Sequence, residues 1–246
     1  DFLMLVIVDK TDNNYSFLPI NRDTMSEVRL IQDDGTGAAT AELQLCTAHW
    51  YGGNAGQSCA NTVESISKLF GGLKIDGYYA IPMDEIPKLN HSVGGVTVTL
   101  LEDFQDIDRQ MKKGETLALS DEQAYHYIHD RYGVGDEKNT SRMKRQQQYM
   151  EAFFTKAKEK AKSDKAYVSQ LFRKFEQTAT TNLTVKKISG LTNRLIKGTQ
   201  KGFFEIQGTS KIGKALGDGI DHAEFYPDKE SIIDVMTKIY GLKKRK

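Results

Sequence analysis

Asp130-Arg131-Tyr132-Gly133-Val134-Gly135-Asp136-Glu137-Lys138-Asn139-Thr140-Ser141-Arg142-Met143-Lys144-Arg145-Gln146-Gln147-Gln148 is a glycine-broken loop running into a long helix whose first turns are basic. Thr140 or Ser141 is placed to cap that helix, which leaves backbone N–H groups and the positive end of the macrodipole at its start. An anion is favoured there, so the stretch predicts a phosphate seat. Arg142, Arg145 and Gln146 stand at i, i+3 and i+4 on one helical face, and Arg131 enters from the preceding segment. Three guanidinium forks aimed at one place suit a multiply charged oxyanion such as a pyrophosphate. Arginines in a helix more often form a solvated face, so the stretch needs a second basic site before it argues for a ligand.

Working outward, Tyr149 to Lys162 extends this helix, with Met150, Phe153, Phe154 and Ala157 on its inner side and lysines outside. Upstream, Ser120 and Gln123 form the capping-box pattern of a helix carrying Tyr125, Tyr127, Ile128 and His129. Val96 to Leu101 is the clearest β-stretch, and a helix is expected from Asp84 to Val93, closed by Gly94-Gly95. Asn61 to Phe70 reads as a helix, and Ala38 to Tyr51 as another. Further helix is expected through Phe175 and over Val185–Ile196, then a strand over Gly202–Gly208 and a helix over Ser231–Tyr240. The closing Lys243-Lys244-Arg245-Lys246 reads as a solvated basic end.

At the other end, Asp1-Phe2-Leu3-Met4-Leu5-Val6-Ile7-Val8 is a near-continuous apolar strand, suited to a buried central position in a parallel or mixed sheet. A chain that starts inside its core points to a preceding segment that has been removed. After a polar turn, Tyr15 to Ile20 returns alongside it, and Asn21-Arg22-Asp23-Thr24 follows. Polar residues at the end of a buried strand are where ligands meet α/β folds, which makes Arg22 a second basic contact unless it only pairs with Asp23.

A chain of 246 residues can bury a full core, and we expect one α/β domain spanning 1–246. Net charge is +1, so a general polyanion-binding surface is not indicated and nucleic acid is not expected as a partner. No apolar run reaches the roughly 18 residues of a membrane-spanning helix, and no signal peptide is present. Cys46 and Cys59 enclose a glycine-rich loop. Their spacing permits one disulfide, worth roughly 3 kcal/mol through the unfolded state; the alternative is a pair of buried thiols. We favour the disulfide, as in an exported domain.

Asp1 to Val6, Leu18-Pro19-Ile20-Asn21-Arg22-Asp23-Thr24, Val93-Gly94-Gly95-Val96-Thr97-Val98, and Arg131 followed by Arg142-Met143-Lys144-Arg145-Gln146-Gln147-Gln148 occur in the order seen in the LytR-CpsA-Psr family, which the chain resembles over most of its length. The Cys46 and Cys59 pair with Tyr51-Gly52-Gly53 looks like the form found in clostridia-like Gram-positive members. The resemblance implies a central mixed β-sheet flanked by helices on both faces. It further implies an enzyme at the outer face of a Gram-positive cell membrane, held by an N-terminal anchor absent from this sequence. Such enzymes transfer a glycan phosphate, of teichoic-acid or capsular kind, from undecaprenyl pyrophosphate to a peptidoglycan hydroxyl, with Mg²⁺ or Mn²⁺.

Matched by position, Arg22, Arg131, Arg142 and Gln146 resemble the pyrophosphate-binding set, with Arg145 assisting and Asp1 resembling a carboxylate near the metal. Asp23 or Asp1 is a candidate general base. In what the resemblance implies, His129 stands where the family often has arginine, and Asn139 where it often has aspartate, so one positive and one negative charge are lost together, and His129 can be neutral or cationic near neutral pH. Two other functions use the same residues: a hydrolase of polyprenyl pyrophosphates with water as acceptor, and a noncatalytic binding or regulatory module of the cell envelope.

Overall fold

The computed structural model describes residues 2–32, 34–37 and 39–240. In chain order the elements are β1 (Leu3–Val8), β2 (Tyr15–Ile20), β3 (Met25–Leu30) and β4 (Ala39–Gln44), a 3-10 segment Leu45–Trp50, α1 (Ala55–Leu69) and β5 (Tyr79–Ala80). Then come α2 (Ile86–Val93), β6 (Thr97–Thr99), β7 (Thr116–Ala118), α3 (Asp121–His129), α4 (Asn139–Ser163) and α5 (Tyr167–Phe175). The last are β8 (Thr180–Thr181), α6 (Val185–Lys197), β9 (Gln200–Phe203), β10 (Gly208–Gly213), β11 (His222–Pro227) and α7 (Lys229–Tyr240). Packing groups them into two compact units, residues 1–80, 180–184 and 199–246 in the first and 81–179 with 185–198 in the second.

The first unit holds a mixed sheet in the order β1-β2-β9. The Asp9–Asn14 turn returns the chain as expected: Asp9 and Asp12 accept the Thr11 and Asn14 amides at 2.7 and 2.8 Å, and β1 pairs antiparallel with β2 from Leu3↔Ile20 to Val8↔Tyr15. β9 then adds parallel to β2, with Phe17 opposite Phe203. The buried central strand is therefore β2, buried along its whole length, while β1 lies at the sheet edge and is half-buried. Both faces of β2 are covered. Leu18 and Ile20 join Leu45, Ile66, Phe70 and Val235, which brings α1 and α7 onto one core, and on the other face Phe17 packs edge-to-face with Tyr15 and at a tilt on Phe203.

Several expectations for this unit are corrected. Ala39–Gln44 is a strand, not part of a helix over Ala38 to Tyr51; only Leu45–Trp50 is helical, as a 3-10 segment. Its alternation puts Ala41 and Leu43 beside Val28 in antiparallel register with β3, and that pairing outweighs the helical preference of Ala, Glu and Leu. The expected late strand ends at Phe203, and β10 and β11 form an antiparallel hairpin with no counterpart in the sequence reading. β10 is exposed almost throughout, so it carries no hydrophobic alternation to read.

The second unit is built on α2, α3 and α4 around Val93, Val96, Leu100, Met111, Tyr127 and Tyr149. Asn90, fully buried, fixes their arrangement: its Nδ2 donates to Leu119 O and Asp121 Oδ1, and its Oδ1 accepts from Val96 N and Tyr149 OH. One side chain thus ties α2, β6, α3 and α4 together with all its hydrogen-bonding capacity met. The β-stretch at Val96–Leu101 pairs as the short β6–β7 ladder, and Leu100 N and Leu119 N extend it to Glu115 O and Val96 O. The Ser120–Gln123 capping box forms as expected, with both hydrogen bonds present.

Candidate functional site

α4 buries Arg142, Arg145, Gln146, Tyr149 and Phe153 along one stripe. The lower part of this stripe enters the apolar core, whereas its first two turns meet the C-terminal end of α3, where four backbone carbonyls lack partners within their helix. Arg145 donates from Nη1 to Tyr127 O and from Nη2 to Asp130 O. Gln146 Nε2 donates to Ile128 O at 2.9 Å, and Arg142 Nη1 to His129 O at 3.3 Å. Four consecutive carbonyls of α3's end are therefore satisfied by three side chains of α4, with two cations at the negative end of the helix dipole.

Arg145 is 1 % exposed, its guanidinium stacked near the Phe104 and Tyr127 rings, and its Nε lies 2.6 Å from Glu102 Oε2 without hydrogen-bond alignment. Burial pulls its pKa down, and the charges of Glu102, Tyr127 and Asp130 push it back. Arg145 therefore holds the fold together, with its guanidinium committed to the end of α3 and to Glu102. Glu102 also sits against the loop at Gly135, whose φ is 56° and where any Cβ would collide with the Glu102 carboxylate.

Arg142 is aimed differently. Its Nη2 and Nε reach Asn139 Oδ1 at 2.7 and 3.2 Å, so a neutral amide orients the fork without adding negative charge. His129 ends α3 with its ring stacked on Tyr125, centroids 4.8 Å apart, and its Nδ1 lies 2.9 Å from Asp130 Oδ1. The other Asp130 oxygen is 2.6 Å from His126 Nδ1, so two imidazoles bracket one carboxylate. Arg131 is half-buried, its guanidinium 4.5 Å above the Tyr132 ring and Nη2 on the Tyr132 hydroxyl.

The helix start differs from the expected cap. α4 begins at Asn139 with Lys138 at its N-cap, and neither Thr140 nor Ser141 caps it. Among the described residues no side chain caps it; Asp136 orders the approach, accepting the Lys138 amide at 3.0 Å and bonding the Ser141 side chain, which together lower its pKa. Glu137 Oε1 accepts Gly133 N at 2.8 Å. These carboxylates fix the loop that leads into α4.

In the first unit, Asn21–Thr24 is a locked corner between β2 and β3. Asn21 Oδ1 accepts Asp23 N at 2.9 Å, Cys46 N donates to Arg22 O, and Phe225 N donates to Asp23 O. Arg22 Nε lies 3.6 Å from Asp23 Oδ1, and Nη2 donates to Cys46 Sγ at 3.4 Å. The expected Cys46–Cys59 disulfide is not formed; both cysteines are free. Each thiol has separate surroundings, Cys46 against Arg22 and Cys59 buried on α1, where desolvation raises its pKa. The loop they enclose is held without a bridge: Asn61 Nδ2 donates to Arg29 O and Ala48 O, and Asn54 caps α1 through Gln57 N.

The profile of the LytR_cpsA_psr family matches residues 1–239. The chain belongs to the LytR_cpsA_psr family. Among solved structures, TagV of B. subtilis is 21 % identical, with a TM-score of 0.73 over 98 % of this chain and 88 % of that one. Lin1025 of Listeria innocua is 22 % identical, with a TM-score of 0.66 over 99 % and 93 % of the two chains. TagT bound to LIIa-WTA is 20 % identical, with a TM-score of 0.70 over 98 % and 84 %. These likenesses show a shared α/β fold. No curated protein matches.

As a LytR_cpsA_psr member, the chain was expected to carry a metal beside Asp1, which lies outside the described residues. Among the described residues no group of three or more His, Cys, Asp or Glu could hold a metal ion. The sequence reading also passed over Glu102, His126 and Asp130, the groups that pair with Arg145 and His129. Only the His126/Asp130 spacing of four within a helix end offered a signal.

Proposed function

We propose that this chain is a phosphotransferase that attaches a glycan phosphate, of teichoic-acid or capsule-like kind, from undecaprenyl pyrophosphate to a peptidoglycan hydroxyl. Membership in the LytR_cpsA_psr family supports cell-wall glycopolymer transfer. The observation that carries the reading is Arg142, a buried guanidinium oriented by the neutral Asn139 and the end of α3. The TagT structure with LIIa-WTA supports a glycopolymer as ligand of the fold.

In this reading the acceptor hydroxyl oxygen attacks the phosphorus that carries the glycan. The bond from that phosphorus to the bridging oxygen breaks, undecaprenyl phosphate leaves, and the hydroxyl proton passes to a carboxylate, for which Asp23 and Asp1 are the two candidates. Phosphoryl transfer is accelerated mainly by positioning and by neutralising charge on non-bridging oxygens. Arg142 and Arg131 take that role in the second unit, where Arg145 and Gln146 hold the end of α3 in place for them. Arg22 is the basic candidate of the first unit. Mg²⁺ or Mn²⁺ would supply further neutralisation of phosphate charge when bound; among the described residues no group of three or more His, Cys, Asp or Glu could hold it.

We place the enzyme at the outer face of a Gram-positive cell membrane; no helix among the described residues is long and apolar enough to cross one. The test is incubation with an undecaprenyl-pyrophosphate-linked glycan and peptidoglycan fragments, with and without added Mg²⁺, followed by mass spectrometry. A glycan–peptidoglycan phosphodiester is the expected product. Release of glycan phosphate without transfer would assign the chain as a hydrolase, and no turnover as a binding module.

A further inference from the structure

Charge is unevenly distributed along this near-neutral chain. From Lys156 to Lys197 the sequence carries eleven Lys and Arg against three Asp and Glu, whereas the whole chain has a net charge of +1. The excess lies on the second half of α4 and on α5 and α6, which pack on one another within the second unit. Lys156, Lys158 and Lys160 donate to the backbone carbonyls of Gly95, Gly198 and Ser92. Lys162, Lys165, Arg173, Lys174, Lys186 and Lys197 are exposed, and among the described residues none has a carboxylate within ion-pair distance. The cations also crowd one another: burial, and then the charge of Lys162, lower the Lys158 pKa.

We propose that the α5–α6 face docks on an anionic lipid bilayer. Both helices are amphipathic. Leu171 of α5 packs on the core, whereas Phe172 of α5 and Leu191, Leu195 and Ile196 of α6 are half-buried, and Val185, at the start of α6, is 79 % exposed. Cations flanking incompletely buried apolar side chains are the mark of a helix lying in a membrane interface. A soluble polyanion would reward the charge alone. The attraction is to the surface potential of acidic lipids and weakens with salt. This surface is independent of the phosphotransferase reading, and its test does not read transfer.

The experiment is co-sedimentation of the purified chain with vesicles of phosphatidylcholine, with and without phosphatidylglycerol, at low and high salt. Binding is expected only with phosphatidylglycerol, falling as salt rises. Removing one cation should lower partitioning by roughly fivefold, so Arg173→Gln/Lys174→Gln/Lys186→Gln should lose on the order of a hundredfold. Lys112→Gln/Lys113→Gln, which removes two exposed lysines elsewhere in the same unit, should bind like the parent chain. Thermal melting of each variant confirms that it is folded. The proposal is overturned if the parent chain ignores acidic vesicles, if the Lys112/Lys113 variant loses as much per charge, or if soluble polyphosphate binds where vesicles do not.

Discussion

The Nε of Arg145 lies 2.6 Å from Oε2 of Glu102, with the arginine side chain 1 % exposed and the glutamate 13 %. Removing one member of a buried pair leaves a charge with neither solvent nor partner, which costs about 3–5 kcal/mol. Arg145→Met leaves Glu102 stranded and frees the Tyr127 and Asp130 carbonyls; Glu102→Leu leaves the guanidinium stranded. Urea denaturation should show both single variants destabilised by about that amount. The double variant should be less destabilised than the two single effects combined.

Arg142 and Asn139 carry a prediction about binding. Asn139→Asp puts a carboxylate against the Arg142 fork, where Nη2 now lies 2.7 Å from an amide oxygen. That neutralises the cation and should weaken affinity for an undecaprenyl pyrophosphate by at least about tenfold. His129→Arg places a permanent cation there and should strengthen it. The double variant places an arginine and an aspartate together at these positions and should recover most of the parent affinity. Arg142→Ala should abolish detectable binding and slow transfer on the order of 10²–10³. Isothermal titration of the four chains measures the coupling between positions 129 and 139.

Much of this fold could be read locally, because its signals are local. The β1–β2 return, the Ser120–Gln123 capping box and the inward stripe of α4 follow from turn chemistry and from periods of two and 3.6 residues. What escaped the reading depends on partners distant in sequence. β4 is a strand because β3 pairs with it, and Arg145 is buried because Glu102, forty-three positions earlier, meets it in space. At the candidate site, the common face of Arg142, Arg145 and Gln146 was legible. That this face meets the end of α3 was not, since helix packing leaves no trace in the spacing of either helix alone.

Tyr127 links stability to alkaline pH. Burial raises its pKa from 10.0 to about 12. A phenol whose pKa is higher in the folded state contributes fully below its unfolded value and loses that contribution as pH rises toward the folded one. Stability should therefore fall between about pH 10 and 12, by up to roughly 3 kcal/mol for this group. Tyr149, whose pKa burial also raises, adds to the slope. Tyr127→Phe should flatten the decline. At neutral pH it should cost about 1 kcal/mol, because the hydroxyl's hydrogen bond to Gln148 Oε1 is lost. Chemical denaturation across this pH range checks both effects.

The two cysteines give the last prediction. With Cys46 facing Arg22 and Cys59 buried on α1, the chain purified without reductant should show two thiols on titration with Ellman's reagent in denaturant. In the native state Cys46 should react first, because Cys59 is buried and its raised pKa leaves less thiolate at neutral pH. Dithiothreitol should leave the melting temperature unchanged, since the enclosed loop is held by Asn61 and Asn54 rather than by sulfur. Asn61→Ala, which leaves the Arg29 and Ala48 carbonyls without their donor, should cost about 1–3 kcal/mol. Absence of free thiols, together with a melting temperature that drops on reduction, would show that the bridge forms and that these side chains are not what closes the loop.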